Sequence, residues 1–301
     1  MTRTGTSSAY AILTLAALLL ATPASASCLD DWLVFDADGA DGKVDFLVSN
    51  SSDFPLTVTM KFSLRRMEAS RRTTFTESLA PGESRSVITL ERTDSEREGR
   101  YKYKYECTIG HQHADHDDDI VYLLPYEAGK SYRVLQGYGS RFSHTGIEEY
   151  TVDFDMQEGT PVHAARSGRV ARTEERHNKG CWSRGCGDYA NYIVIVHDDD
   201  TTGEYYHLLQ DGVLVEEGDF VEAGQLIGLS GNTGHTTMPH LHFGVYRAID
   251  WGREQSIPVR FISADGIVDR PRRGGRYPAV SEERLSRFDD EISGQPEQQL
   301  N

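Results

Sequence analysis

Basic side chains are in short supply in this sequence. Its 301 residues carry 31 lysines and arginines against 47 aspartates and glutamates, a formal net charge of −16. That deficit argues against nucleic acid and against anionic membrane surfaces as partners. It gives no electrostatic help in approaching an anionic polymer, and its plainest role is to keep the chain soluble. Cysteine is scarce too. There are four, and no Cys-x-x-Cys pair, which argues against a zinc site built on thiolates. Long apolar runs are missing after residue 26, so nothing in the mature chain is suited to span a membrane. Helical periodicity is nearly absent between residues 131 and 262, where short apolar runs alternate with Gly turns.

The chain's first 26 residues are different. Arg3 supplies a positive start, residues 9–21 are apolar, and Ala24-Ser25-Ala26 fits a small-residue cleavage pattern, so residues 1–26 are expected to be a signal peptide. The chain is then exported, to a periplasmic or extracellular place. Cys28 raises the alternative of a lipid anchor, against which stands the lack of a large aliphatic residue in Ser25-Ala26-Ser27. Export makes disulfides natural. Cys181 and Cys186 bracket a four-residue loop, and Cys28 with Cys107 would tie the start of the mature chain to a later strand. Four cysteines allow three pairings.

Residues 27–123 are expected to form a β-sandwich-like domain. Strands are predicted over 44–48, 56–62, 86–90 and 101–105, the last alternating tyrosine and lysine. No catalytic motif falls there. His111, His113, Asp115, His116 and the three aspartates 117–119 have metal-binding chemistry, though such a run is commonly a solvated loop. Residues 124–262 are expected to form a second, antiparallel β domain with a loop-lined groove. Its strands are predicted over 168–173, 192–197, 204–208, 226–230 and 242–247, with a hairpin over 213–221 turning at Gly218-Asp219. Residues 263–301 are predicted to be a polar, flexible tail, with helical spacing of Leu285, Phe288 and Ile292 over 281–292.

The chemistry concentrates at Met238-Pro239-His240-Leu241-His242-Phe243-Gly244-Val245-Tyr246. Leu241, Phe243 and Val245 alternate with His240, His242 and Gly244, as in a half-buried strand. Positions i and i+2 of a strand share a face, so both imidazoles look into one site while Leu241 and Phe243 turn to the core. Gly231-Asn232-Thr233-Gly234 is a turn signal, and Pro239 sits where a lost N–H costs least. Further histidines stand in Ser143-His144-Thr145-Gly146, ahead of Val152-Asp153-Phe154, and in Tyr205-Tyr206-His207-Leu208. His163, His177, His197 and His235 are expected to be surface, loop or groove-wall residues, and Asn191 a strand-edge hydrogen-bonding residue.

In this order the motifs resemble those of the lysostaphin-type (LytM-like) zinc metallopeptidases, peptidoglycan endopeptidases, over roughly residues 124–262. The resemblance implies one catalytic zinc ion held by His144, Asp153 and His242. It implies that His240 takes the proton of the attacking water and that His207 stabilises the transition state. Two imidazoles and one carboxylate leave zinc an open position, as hydrolytic sites require. The sequence departs from the common spacing of the first His and the Asp. Eight residues separate His144 from Asp153, which keeps Asp155 and Glu148 in play as ligands.

The function so implied is an exported zinc-dependent endopeptidase acting on peptidoglycan cross-links or Gly-rich peptides. The alternative is a non-catalytic wall-binding or regulatory module on the same scaffold, and a third reading is an adhesion protein working through its sandwich. A degenerate module should lack at least one of the five residues, and none is missing. The oligomeric state is left open.

Overall fold

The computed structural model describes residues 32–40, 42–281 and 283–284. The expected signal peptide, Cys28 and most of residues 281–292 lie outside the described residues. Regular structure is almost wholly β-strand, as expected, and no described helix is long and apolar enough to cross a membrane.

The N-terminal part is a sandwich of two antiparallel sheets. One is built from Leu33–Ala40, Lys43–Asn50, Ser84–Arg92 and Met67–Ala69, the other from Thr74–Leu79, Leu56–Arg65 and Arg100–Ile109. Phe46, Val48, Val58, Met60, Phe62 and Ile88 fill the space between them. The alternation that predicted a strand over 56–62 continues to Arg65, with Phe62 buried and Lys61 and Ser63 exposed. Thr57 and Thr59 break that pattern by being buried on the outer face. The second part of the chain covers them, and Trp251 N–H donates to Thr59 Oγ1 at 2.8 Å.

The second part is built on a nine-stranded sheet. Its order is Phe220–Val221, Gly168–Glu174, Tyr192–Val196, Thr202–Tyr206, Leu241–Ala248, Val152–Phe154, Ser131–Gln136 and Arg276–Pro278, with Glu254–Ser256 paired to Leu241–Ala248. Tyr205, Phe243, Val152, Ile193 and Ile195 project from one face into a core completed by smaller sheets. The unbroken apolar run of Tyr192–Val196 has a simple cause. Ile193 and Ile195 enter this core, while Val194 and Val196 join the core of the sandwich. A strand covered on both faces has no polar side to show.

Three expectations need correction. The hairpin over 213–221 does not form. Gly218 does turn, with φ of 93°, but Val213 pairs with Gly228 and Val221 with Gly168. The run from residue 263 to 280 is packed rather than a flexible tail. Gly266–Val268 pairs with Arg260–Ser263, and Arg276–Pro278 pairs with Ser131–Gln136. Gly137 allows the contact, since a Cβ there would meet the Pro271 carbonyl oxygen at 2.0 Å. His197 is 3% exposed, not a solvated turn residue. Its Nδ1–H donates to the Ser167 carbonyl at 2.9 Å. The expected Cys181–Cys186 bridge is present. Cys107 is also disulfide-bonded.

Candidate active site

The site is assembled by register. Within the sheet Gln136 lies beside Asp153, Asp153 beside His242, His242 beside Tyr206, and Tyr206 beside Tyr192. Cross-strand partners share a face, so this row crosses the sheet on the side opposite Tyr205 and Phe243. Asp153 and His242, which are 89 residues apart in the chain, thereby come together with Oδ1 and Nδ1 2.8 Å apart.

The other three histidines arrive from loops. His144 is 1% exposed, and its Nε2 lies 3.2 Å from Asp153 Oδ1. Neither of its ring nitrogens makes a well-formed hydrogen bond. His207 directly follows the strand Thr202–Tyr206 with φ of 66°, a left-handed conformation that costs a non-glycine residue energy and recurs at functional sites. His240 bridges Gly231 just before Leu241–Ala248. The rings of His207 and His240 are 4.6 Å apart, and those of His207 and His242 are 5.9 Å apart.

Backbone carbonyls orient the loop imidazoles. His207 Nδ1 is 2.7 Å from Thr233 O, and His240 Nδ1 is 2.7 Å from Met238 O. A neutral ring whose Nδ1–H donates keeps a lone pair on Nε2. His240 Nε2 lies 3.8 Å from Asp153 Oδ1. Burial, then the neighbouring His240 and His242, pushes the pKa of His207 down to about 3. Burial is also the largest effect on His240 and lowers it. Burial opposes ionisation of Asp153, but the facing imidazoles of His144, His242 and His240 hold its carboxyl well below the usual range.

His242 is fixed from behind. Its Nε2 lies 3.3 Å from Tyr246 Oη, and the Tyr246 hydroxyl donates to Glu148 Oε2 at 2.8 Å. With its hydroxyl proton committed, Tyr246 accepts Nε2–H, which leaves Nδ1, the nitrogen facing Asp153, as the one that could bind a metal. Gln136 does the same for the carboxylate. Its Nε2 donates to Asp153 Oδ2 and to Ser143 Oγ, both at 2.7 Å, while its Oε1 accepts from Ser140 Oγ at 3.0 Å.

The ligand atoms of His144, Asp153 and His242 all lie within 4.8 Å of one another. A buried imidazole without a proper partner, a carboxylate oxygen and a second imidazole nitrogen gathered at one place fit a divalent cation of zinc type. The rival carboxylates are occupied elsewhere. Asp155 lies past the end of its strand and meets Arg133 at 3.4 Å. Glu148 accepts from Tyr246 and is 3.9 Å from His242 Nε2, the ring edge away from Asp153.

Of the remaining histidines, His163 donates to the Gly224 carbonyl at 2.7 Å, and His177 packs edge-on to Tyr189. His111 accepts from the His113 N–H, and His116 stacks on Tyr122, so these do not gather around one point. Asn191 is fully buried and bonds His177 and Leu208 backbone. His235 stacks on Trp182 at 4.5 Å, and Trp182 on Phe142 at 5.1 Å. This ring stack joins the loop of His144, the disulfide loop and the loop of His240. Gln136, Tyr246 and this stack were not foreseen. Tyr246 carried one signal, its place four residues after His242 on the same strand face.

Residues 148–257 match peptidase family M23. The chain contains a peptidase family M23 domain. His144 lies four residues before the matched span. The chain is 38% identical over 132 residues to lysostaphin of Staphylococcus simulans, covering 43% of this chain and 23% of that protein. It is 34% identical over 122 residues to the peptidoglycan DD-endopeptidase ShyA of Vibrio cholerae, covering 39% and 26%. The matched part thus spans about a quarter of the length of these relatives. Among solved structures, the catalytic domain of lysostaphin is 35% identical and covers 42% of this chain and 88% of its own, with a TM-score of 0.32. The M23 match spans Asp153, His207, His240 and His242.

Proposed function

We propose that the chain is an exported zinc-dependent endopeptidase that hydrolyses peptide bonds in peptidoglycan cross-links or Gly-rich peptides. One observation carries the reading. His144 is buried with neither ring nitrogen properly bonded, and it faces a carboxylate and a second imidazole at ligand distances. The family match and relatives named as lysostaphin and a peptidoglycan endopeptidase support the substrate class.

In this reading His144 Nε2, Asp153 and His242 Nδ1 hold the zinc ion. When bound, zinc supplies the positive charge that polarises the scissile carbonyl and brings the pKa of water toward about 7. His240 accepts the proton of the attacking water at Nε2, a contribution of about 10²–10⁴-fold. His207 stabilises the negative charge that develops on the carbonyl oxygen. Because its Nδ1–H is committed to Thr233, His207 must take up a proton at Nε2 to donate there, against the burial that lowers its pKa to about 3. Gln136 and Tyr246 position the ligands.

The test is zinc content beside cleavage products, for the parent protein and His242→Ala, on purified wall and on a Gly-rich peptide. One equivalent of zinc and new amino termini are expected from the parent, and loss of both from the variant. A variant that kept a full equivalent of zinc would overturn the ligand assignment.

A further inference from the structure

A chain of net charge −16 is repelled at long range by an anionic polymer, yet one of its faces runs the other way. In the three-stranded sheet of the sandwich, Tyr101, Tyr103 and Tyr105 turn inward against Phe35, Phe46 and Phe62. The alternate positions turn outward, and Lys61, Arg65, Arg100, Lys102 and Lys104 are all exposed there. Register sets Lys61 opposite Lys104, Ser63 opposite Lys102 and Arg65 opposite Arg100. Two of these three rungs oppose like charges, which destabilises a sheet.

Little nearby offsets the charge. Arg100 pairs with Glu98, and Lys104 sits over the Trp251 ring at 5.0 Å. Lys61, Arg65 and Lys102 form no ion pair among the described residues. Glu106, two positions after Lys104, ends the stripe. Alternate residues of a strand are about 7 Å apart and neighbouring strands about 5 Å. The stripe is therefore an array about 14 Å long, backed by the aromatic core beneath it.

We propose that this stripe docks the protein on peptidoglycan by binding the free carboxylates of its stem peptides. The occupant rests on the substrate class proposed above, and charge complementarity points to it. The sandwich would hold on an anionic wall an enzyme that the rest of its own surface drives away. The contact is multivalent, solvent-exposed and hence weakened by salt.

The test is cosedimentation of the full chain with purified sacculi, in a His240→Ala background so that the wall is not consumed. Lys61→Glu, Lys102→Glu and Lys104→Glu together should weaken binding about tenfold or more. A control with the same change in charge elsewhere, Lys130→Glu, Arg272→Glu and Arg273→Glu, should bind like the parent. Parent binding should fall as salt rises and on sacculi whose carboxylates have been amidated. In the active background, the stripe variant should cleave a small uncharged peptide at the parent rate.

Equal loss in the control, parent-like binding by the stripe variant, or undiminished binding to amidated sacculi would each overturn the proposal. Tighter stripe-dependent binding to duplex DNA than to sacculi would overturn the choice of occupant. A protein that bound sacculi through the stripe and cleaved no peptide would support the docking surface while refuting the endopeptidase reading.

Discussion

His240 and His242 sit two positions apart and face one site, but their neighbours divide the work. The Nδ1 of His240 is tied to a backbone carbonyl, whereas that of His242 faces Asp153. His240→Ala should therefore keep its zinc and lose hydrolysis by about 10²–10⁴-fold. Loss of zinc together with activity would make it a ligand. Since burial lowers the pKa of His240, the acid limb of kcat/KM against pH should sit below the ordinary histidine value of about 6.5. Gln136→Ala frees Asp153 Oδ2 and should weaken zinc binding about 10- to 100-fold, read by competition with a chelator. His197 gives a prediction for stability. Burial, then Arg166, pushes its pKa down to about 4. An unfolded chain takes up that proton near pH 6.5, so the stability it contributes is present above about 6.5 and lost as pH falls toward 4. His197→Gln should flatten this dependence in denaturant midpoints taken across that range, and an unchanged slope would count against it. The five proposed site residues were legible because several short motifs stood in a recognisable order. Gln136 was not, since a lone Gln in a strand carries no signal until register sets it beside Asp153. His197 was misplaced because Asp198-Asp199-Asp200 suggested solvent, whereas Arg166 pairs with Asp198 and Asp199 and the ring turns inward.

Among the elements, the disulfide loop links the two site-bearing loops. Gly180 and Cys181 pair in parallel with Gly234 and His235, and Thr236 N–H donates to the Cys181 carbonyl at 3.2 Å. The Thr236 hydroxyl lies 3.4 Å from His240 Nδ1. A Cβ at Gly180 would meet the Asn232 carbonyl oxygen at 1.9 Å, so Gly180→Ala must push the loops apart. Its turnover should fall while the global unfolding midpoint moves little. Removing the bridge by Cys181→Ser with Cys186→Ser should cost about 2 kcal/mol, as expected for so short a loop. A Gly180→Ala enzyme with parent turnover would show that this contact does not position the site. Strands with clean alternation were readable from sequence, as over 56–65. Leu33–Ala40 was not, because Asp36, Asp38 and Gly39 are poor strand formers, and its order comes from pairing with Lys43–Asn50. The hairpin expected over 213–221 failed for a related reason, since Gly218-Asp219 specifies a turn and says nothing of which strands flank it.

At the scale of the whole molecule, the sequence suggested a boundary near residue 123 and an end to the second unit at 262. Packing runs across both. Gly- and Arg-rich composition around 270–276 suggested a loose tail, but Pro271 packs closely on Gly137, and Gly274 and Gly275 hydrogen-bond the backbone of Val134. Thr108 Oγ1 donates to Glu254 at 2.9 Å across the other junction. Residues 121–284 expressed alone should therefore be poorly soluble or unfold at lower temperature than the longer chain, by light scattering and calorimetry. Equal behaviour of the two proteins would show that the junction contributes nothing to stability.

The strand Tyr192–Val196, with one face in each core, has a consequence for how such a protein can be recombined. Ala171, Val194 and Val196 complete the sandwich core from outside its own stretch of chain. A foreign peptidase grafted onto this sandwich would have to bring three small apolar residues in the same geometry. The sandwich and the M23 domain are thus a matched pair. Exchange between relatives would succeed only where both sides of that seam travel together.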